Sequence, residues 1–102
     1  MSFTRIDVTS LKQMLLEQQV IIADIRDDAS FEAGHIEGSI QLGNHNLPDF
    51  MQSCSEEDPI VVVCYHGISS QPVAGFLVEQ GYSNVFSLDG GYVDWAAVHA
   101  SS

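Results

Sequence analysis

Apolar residues in this chain fall into short runs separated by polar stretches, and the runs are of two kinds. Val20, Ile21 and Ile22 open one run; Ile60, Val61, Val62 and Val63 open another. Both are nearly continuous and rich in β-branched side chains, as in strands buried on both faces of a parallel sheet. The pattern predicts strands over 20–25 and 60–64, with shorter ones over 39–42 and 85–88. The other runs have helical spacing. Val8, Leu11 and Leu15 predict a first helix capped by Asp7. Residues 46–51 predict a second, with Asn46 as cap and Pro48 in its first turn. After residue 64 the sequence predicts a helix capped by Ser69 or Ser70. Pro72 fits its first turn, Val73, Phe76 and Leu77 face inward, and Gly81 follows its end. Tyr92 to Val98 predict a short final helix carrying Trp95; Trp95, Phe31 and Phe76 are expected in the core.

The segments between are polar. Residues 26–38, punctuated by Gly34 and Gly38, read as a loop with about one helical turn near residues 30–33. Residues 55–59 and 89–91 read as turns, and the acids of the first as surface charge. Strands alternating with helices imply an α/β fold with a mainly parallel sheet. There is no repeat and no low-complexity segment, and 102 residues fit one domain over 1–102.

Charge narrows the function. The formal net charge is −11, and only Arg5, Lys12 and Arg26 are basic. Binding to nucleic acid or to an anionic membrane is not expected. No apolar run reaches the roughly 20 residues of a membrane span, and no signal-like segment follows the N-terminus, so a cytoplasmic location is expected. The two cysteines, Cys54 and Cys64, are too few for a disulfide framework, and no C-x-x-C is present. Residues 59–78 hold no Asp, Glu, Lys or Arg, and Cys64 lies inside that window.

Cys64 ends its strand and is followed by Tyr65, His66, Gly67, Ile68, Ser69 and Ser70. In parallel α/β sheets ligands sit at the carboxyl ends of strands. A cysteine there is either a small buried hydrophobe or a nucleophile whose thiolate needs stabilising. The donors within reach are loop N–H groups, the N-terminus of the next helix and two serine hydroxyls; Gly67 permits the backbone to turn its N–H inward. Phosphatases of the C-x5-R type need an arginine where this chain has Ser70. A dithiol redox enzyme needs a resolving cysteine nearby, and Cys54 is well upstream. Sulfur transfer needs one thiolate, a nest for the persulfide, and access.

These residues, in this order, carry a resemblance. Asp24, Ile25, Arg26 and Asp27 with Phe31, Gly34 and His35; the loop from Cys64 to Ser70; and Gly81, Tyr82, Leu88 to Gly91 and Trp95 together resemble the single-domain rhodaneses, most closely the GlpE type. The resemblance spans nearly the whole chain. It implies a central parallel five-stranded sheet flanked by helices. It also implies thiosulfate sulfurtransferase activity by double displacement. Cys64 takes the sulfane sulfur as a persulfide, and a thiophilic acceptor (cyanide, a small thiol, or a dithiol protein such as thioredoxin) removes it. No cofactor and no metal are implied. Ile68 departs from the asparagine of GlpE-type loops, which bears on donor preference. An alternative is a persulfide carrier or interaction domain that serves one protein partner and turns thiosulfate over poorly.

The neighbouring residues each have two readings. His66 raises the thiolate fraction or meets substrate, or else it points to solvent. Tyr65 lines the pocket or packs on a helix. Asp24 and Arg26 act on the site electrostatically or form a structural ion pair beneath the loop, the second being the expectation. His35 is expected to hydrogen-bond locally. A zinc site from Cys54, Cys64, His66 and His35 matches no common ligand spacing, and Cys54 is read as a bystander.

Overall fold

The computed structural model describes residues 2–100. The elements alternate: β1 (Thr4–Ile6), α1 (Val8–Glu17), β2 (Ile21–Asp24), α2 (Asp28–Ala33), β3 (Ile40–Gln41), α3 (Leu47–Ser53), β4 (Ile60–Val63), α4 (Ser70–Glu79), β5 (Val85–Leu88) and α5 (Gly91–Ala100). The five strands form one sheet in the order β1-β5-β4-β2-β3, with every pairing parallel.

The apolar runs take the centre of the sheet, as their composition requires. Ile60, Val61, Val62 and Val63 are all fully buried, and β4 pairs with β2 on one side and β5 on the other. The pleat divides the core into two layers. Ala23, Ile60, Val62 and Val85 pack with Phe50 of α3 and with Ala74, Leu77 and Val78 of α4. Ile22, Val61, Val63 and Leu88 pack on the other face with Val8 and Leu11 of α1, and Tyr92 and Trp95 of α5 lie against them.

Local signals explain the helix ends. The Asp7 carboxylate accepts the Ser10 N–H at 2.8 Å and caps α1 as expected. Gly81 and Tyr82 close α4 by donating to Val78 O at 3.0 Å and Leu77 O at 3.2 Å, the paired bonds of a Schellman end. Asn46 occupies the cap position of α3 but does not cap it. Its amide instead spans the preceding loop, accepting from Gly43 N at 2.8 Å and donating to Gln41 O at 2.7 Å. β1 is missing from the sequence-based assignment because it is a three-residue edge strand, mostly exposed, with no alternating pattern. Phe76 is 38% exposed, against the expectation that it faces inward. Ala74, Leu77 and Val78 supply the inner face of α4 in place of Phe76. Phe31 and Trp95 are half-buried, and Trp95 rests on the α1 side of the core.

Chain order puts a special position at the middle of the sheet. β2 and β4 are neighbours, but the chain leaves β2 outward to β3 and leaves β4 in the opposite direction to β5. Connections that diverge from adjacent strands open a crevice at their carboxyl ends, the usual ligand position in such sheets. Cys64 follows β4 at that point.

Candidate active site

Cys64 is only 3% exposed, at the base of a loop that turns its N–H groups inward. Gly67 N–H donates to the sulfur at 3.1 Å and Ser70 N–H at 3.3 Å. The Ser70 hydroxyl lies 3.3 Å from the sulfur and 2.7 Å from the Ser87 hydroxyl on β5. Gly67 makes the turn possible with φ +86, and a Cβ there would stand 2.7 Å from Gly90 N and 2.8 Å from Leu88 O. Its carbonyl faces the other way and accepts from Gln71 Nε2 at 2.8 Å. The peptide that follows Gly67 is thus tied to the start of α4.

Neither serine caps α4 in the expected way. Ser69 is at the cap position with helical dihedrals and makes no side-chain cap bond. Ser70 is the first helical residue; it is fully buried, and its hydroxyl is committed to Cys64 and Ser87. Sulfur, rather than a serine oxygen, satisfies the first N–H of the helix. That arrangement places the positive end of the α4 dipole against Cys64.

Burial pushes the Cys64 thiol pKa up, since a thiolate loses solvation. The Ser70 hydroxyl and the N–H groups of Ser70, Gly67 and His66 favour the charged form and outweigh burial. The net displacement is downward, toward the thiolate. Cys54 goes the other way: burial raises its pKa, and its nearest polar partner is Ser53 Oγ at 3.9 Å.

A second helix is anchored to the same strand end. Tyr92 N–H donates to Cys64 O at 2.8 Å and Val93 N–H to Tyr65 O at 3.1 Å. With both carbonyls tied down by the first turn of α5, the sulfur and the following N–H groups face the loop interior. Gly91 (φ +58) permits this contact. A Cβ there would lie 2.4 Å from Cys64 O and 2.5 Å from Tyr65 O.

The neighbouring charges form a post beside the loop. Asp24 and Arg26 are both buried, with Arg26 Nη2 2.8 Å from Asp24 Oδ2. The same Nη2 donates to Gly34 O at 2.7 Å, and the guanidinium lies over the Tyr92 ring at 4.0 Å and farther, at 5.9 Å, from the Tyr65 ring. The two side chains thus form a buried ion pair. Tyr65 is 42% exposed, and its hydroxyl reaches Asp27 and, at 2.9 Å, Ser30 at the start of α2. His66 and Ile68 lie outside on the loop, Ile68 at 73% exposure. His35 bonds locally, with Nδ1 2.7 Å from Phe31 O, and stacks on the Phe31 ring. Among the described residues no group of three or more His, Cys, Asp or Glu is close enough to hold a metal ion.

The sequence profile described as the rhodanese-like domain matches residues 7–98. The chain belongs to the rhodanese-like domain family. It is 46% identical over 100 residues to a protein of Pseudoalteromonas translucida named thiosulfate sulfurtransferase GlpE, covering 98% of this chain and 95% of that one. A Shewanella oneidensis protein of the same name is 48% identical over 99 residues, covering 97% and 98%. The crystal structure of a rhodanese-like domain protein from Staphylococcus aureus superposes with a TM-score of 0.80 at 28% identity, covering 91% of each chain.

Within this rhodanese-like domain the structure brings Gly67 and Ser70 together around the Cys64 sulfur. It leaves the Ser69, Ile68 and His66 side chains outside that contact set. Two positioning residues were not singled out from the sequence. Ser87 had a visible signal, being the one hydroxyl in the otherwise apolar run over 85–88. Gln71 had none, since a glutamine at the start of a helix is ordinary.

Proposed function

We propose that the protein is a thiosulfate sulfurtransferase working by double displacement through Cys64. The observation that carries this reading is the set of donors converging on one buried sulfur: the N–H groups of Gly67 and Ser70 and the Ser70 hydroxyl. The family and the names of relatives more than 45% identical support it.

In the first step the Cys64 thiolate attacks the outer sulfur of thiosulfate. A sulfur–sulfur bond forms to Cys64, the bond inside thiosulfate breaks, and sulfite leaves with its electron pair. The product is a Cys64 persulfide with its negative charge on the terminal sulfur. The loop N–H groups are preorganised for that charge, so no side chain need move. In the second step cyanide or a thiolate attacks the terminal sulfur and restores the Cys64 thiolate. Neither step needs a metal or an organic cofactor. Tyr65, tied to Asp27 and Ser30, and the Asp24–Arg26 pair hold the loop in place. A thiol acceptor such as thioredoxin and a cytoplasmic setting belong to the same reading.

The lack of Lys or Arg in the loop favours a second reading, a persulfide carrier with slow thiosulfate turnover. Multiple-turnover assay with thiosulfate and cyanide separates the two. Thiocyanate in many-fold excess over enzyme, lost in Cys64→Ser, is expected. Persulfide formation with less than one thiocyanate per chain would establish the carrier.

A further inference from the structure

A buried ion pair adds little stability by itself, but the Asp24–Arg26 pair leads by direct contacts to Cys64. Asp24 ends β2. Its Oδ1 accepts the Arg26 backbone N–H at 2.9 Å and Nε at 3.0 Å, and its Oδ2 accepts Nη2 at 2.8 Å. Nη2 also donates to Gly34 O at 2.7 Å. The side-chain donors bond in the guanidinium plane, which leaves its faces free to stack. The guanidinium carbon lies 4.0 Å from the centre of the Tyr92 ring. A Cβ at Gly34 would stand 2.8 Å from the Tyr92 hydroxyl, so a side chain there would push the ring off the guanidinium.

Tyr92 carries the contact on to the residue that bears the sulfur. It is the second residue of α5, and its own N–H donates to Cys64 O at 2.8 Å. The next N–H, of Val93, donates to Tyr65 O at 3.1 Å. The Gly67 turn rests on the same helix start, since a Cβ at Gly67 would stand 2.7 Å from Gly90 N. The loop is therefore shaped against the beginning of α5. The segment that anchors Tyr92 is itself fixed to β4: Ile25, between Asp24 and Arg26, donates its N–H to Val63 O at 2.8 Å.

Building on sulfur transfer at Cys64, we infer that Tyr92 is a positioning residue for that reaction. The stack of its ring on Arg26 fixes the first turn of α5. That turn holds the Cys64 and Tyr65 carbonyls and so aims the sulfur at the Gly67 and Ser70 N–H groups. Arg26 acts in this chain through its plane and its hydrogen bonds, because its charge is offset by Asp24 at 2.8 Å. A lysine would keep the charge and lose the plane.

The test reads Cys64 itself in wild type, Tyr92→Phe, Tyr92→Leu and Arg26→Lys, with thermal melts to follow folding. Two quantities are measured: the pH midpoint of alkylation by iodoacetamide, and the rate of sulfur uptake from thiosulfate by intact mass. Tyr92→Phe keeps the ring and should match wild type in both. Tyr92→Leu keeps an apolar side chain on α5 and should fold. It should nevertheless raise the midpoint, since burial of the sulfur persists while its donors lose alignment, and slow uptake roughly tenfold. Arg26→Lys should do the same. Wild-type behaviour in Tyr92→Leu, whatever its melting temperature, would overturn the inference, as would an equal loss in Tyr92→Phe. A raised midpoint in Arg26→Lys with none in Tyr92→Leu would also overturn it, in favour of a direct effect of charge. No sulfur uptake by wild type would instead overturn the reading of Cys64 as a sulfur carrier, while the alkylation midpoints would still decide whether Tyr92 positions the thiol.

Discussion

Ser70 stands where a phosphatase loop of this length would carry arginine, and its hydroxyl meets Cys64 Sγ at 3.3 Å and Ser87 Oγ at 2.7 Å. When the thiol ionises, Ser70 donates to sulfur and accepts from Ser87, so the two hydroxyls work as a short chain. The sign follows. The thiolate is the stabilised form, so the folded pKa lies below that of a free cysteine. Thiolate chemistry then extends to lower pH than for a free thiol and is lost as pH falls through that lowered value. Alkylation of Cys64 by iodoacetamide should give a rate–pH midpoint below that of a free thiol. Ser70→Ala should move the midpoint up, toward or past it, because burial remains when one donor is gone. Ser87→Ala should move it the same way by less. A midpoint unmoved in Ser70→Ala would show that the N–H groups suffice alone.

Two glycines test the account at the level of elements, with opposite signs. Gly91 lets the first turn of α5 reach the carbonyls of Cys64 and Tyr65, and a Cβ there meets Cys64 O at 2.4 Å. Gly75 lies inside α4 with nothing within 4 Å of a built Cβ. Urea unfolding should show Gly75→Ala more stable by about 0.5–1 kcal/mol, the helix-propensity gain. Gly91→Ala should be less stable by more than about 2 kcal/mol, since strain and a backbone clash add. Equal effects would contradict the docking of α5 on the loop. The contrast also marks what the sequence made legible. The buried runs over 20–25 and 60–64 announced the central strands, and Asp7 announced its cap. Asn46 and Ser70 misled, because a cap signal is local and their amide and hydroxyl groups found partners elsewhere. Gly91 gave no sign of its role, since a glycine pair after a strand reads as a turn and the carbonyls it approaches are distant in sequence.

At the scale of the whole molecule, charge and site pull in different directions. The formal charge is −11, while the loop from Cys64 to Ser70 carries no Lys or Arg. Long-range repulsion is screened over roughly 10 Å at 0.1 M salt, whereas short hydrogen bonds to sulfur are screened far less. The KM for thiosulfate should therefore fall as ionic strength rises from about 0.01 M to about 0.15 M; a KM that rises would mean that a cation on the protein recruits the anion. The alternation of strands and helices was enough to place Cys64 at the carboxyl edge. The divergence of β2 and β4 that makes this edge a crevice depends on strand order, which no local pattern encodes. The central claim is that this crevice holds a persulfide on Cys64, and intact mass after incubation with thiosulfate tests it most directly. Wild type should gain one sulfur atom, removable by cyanide, and Cys64→Ser should gain none. A wild-type chain that gains no sulfur, or a Cys64→Ser chain that still does, would contradict it.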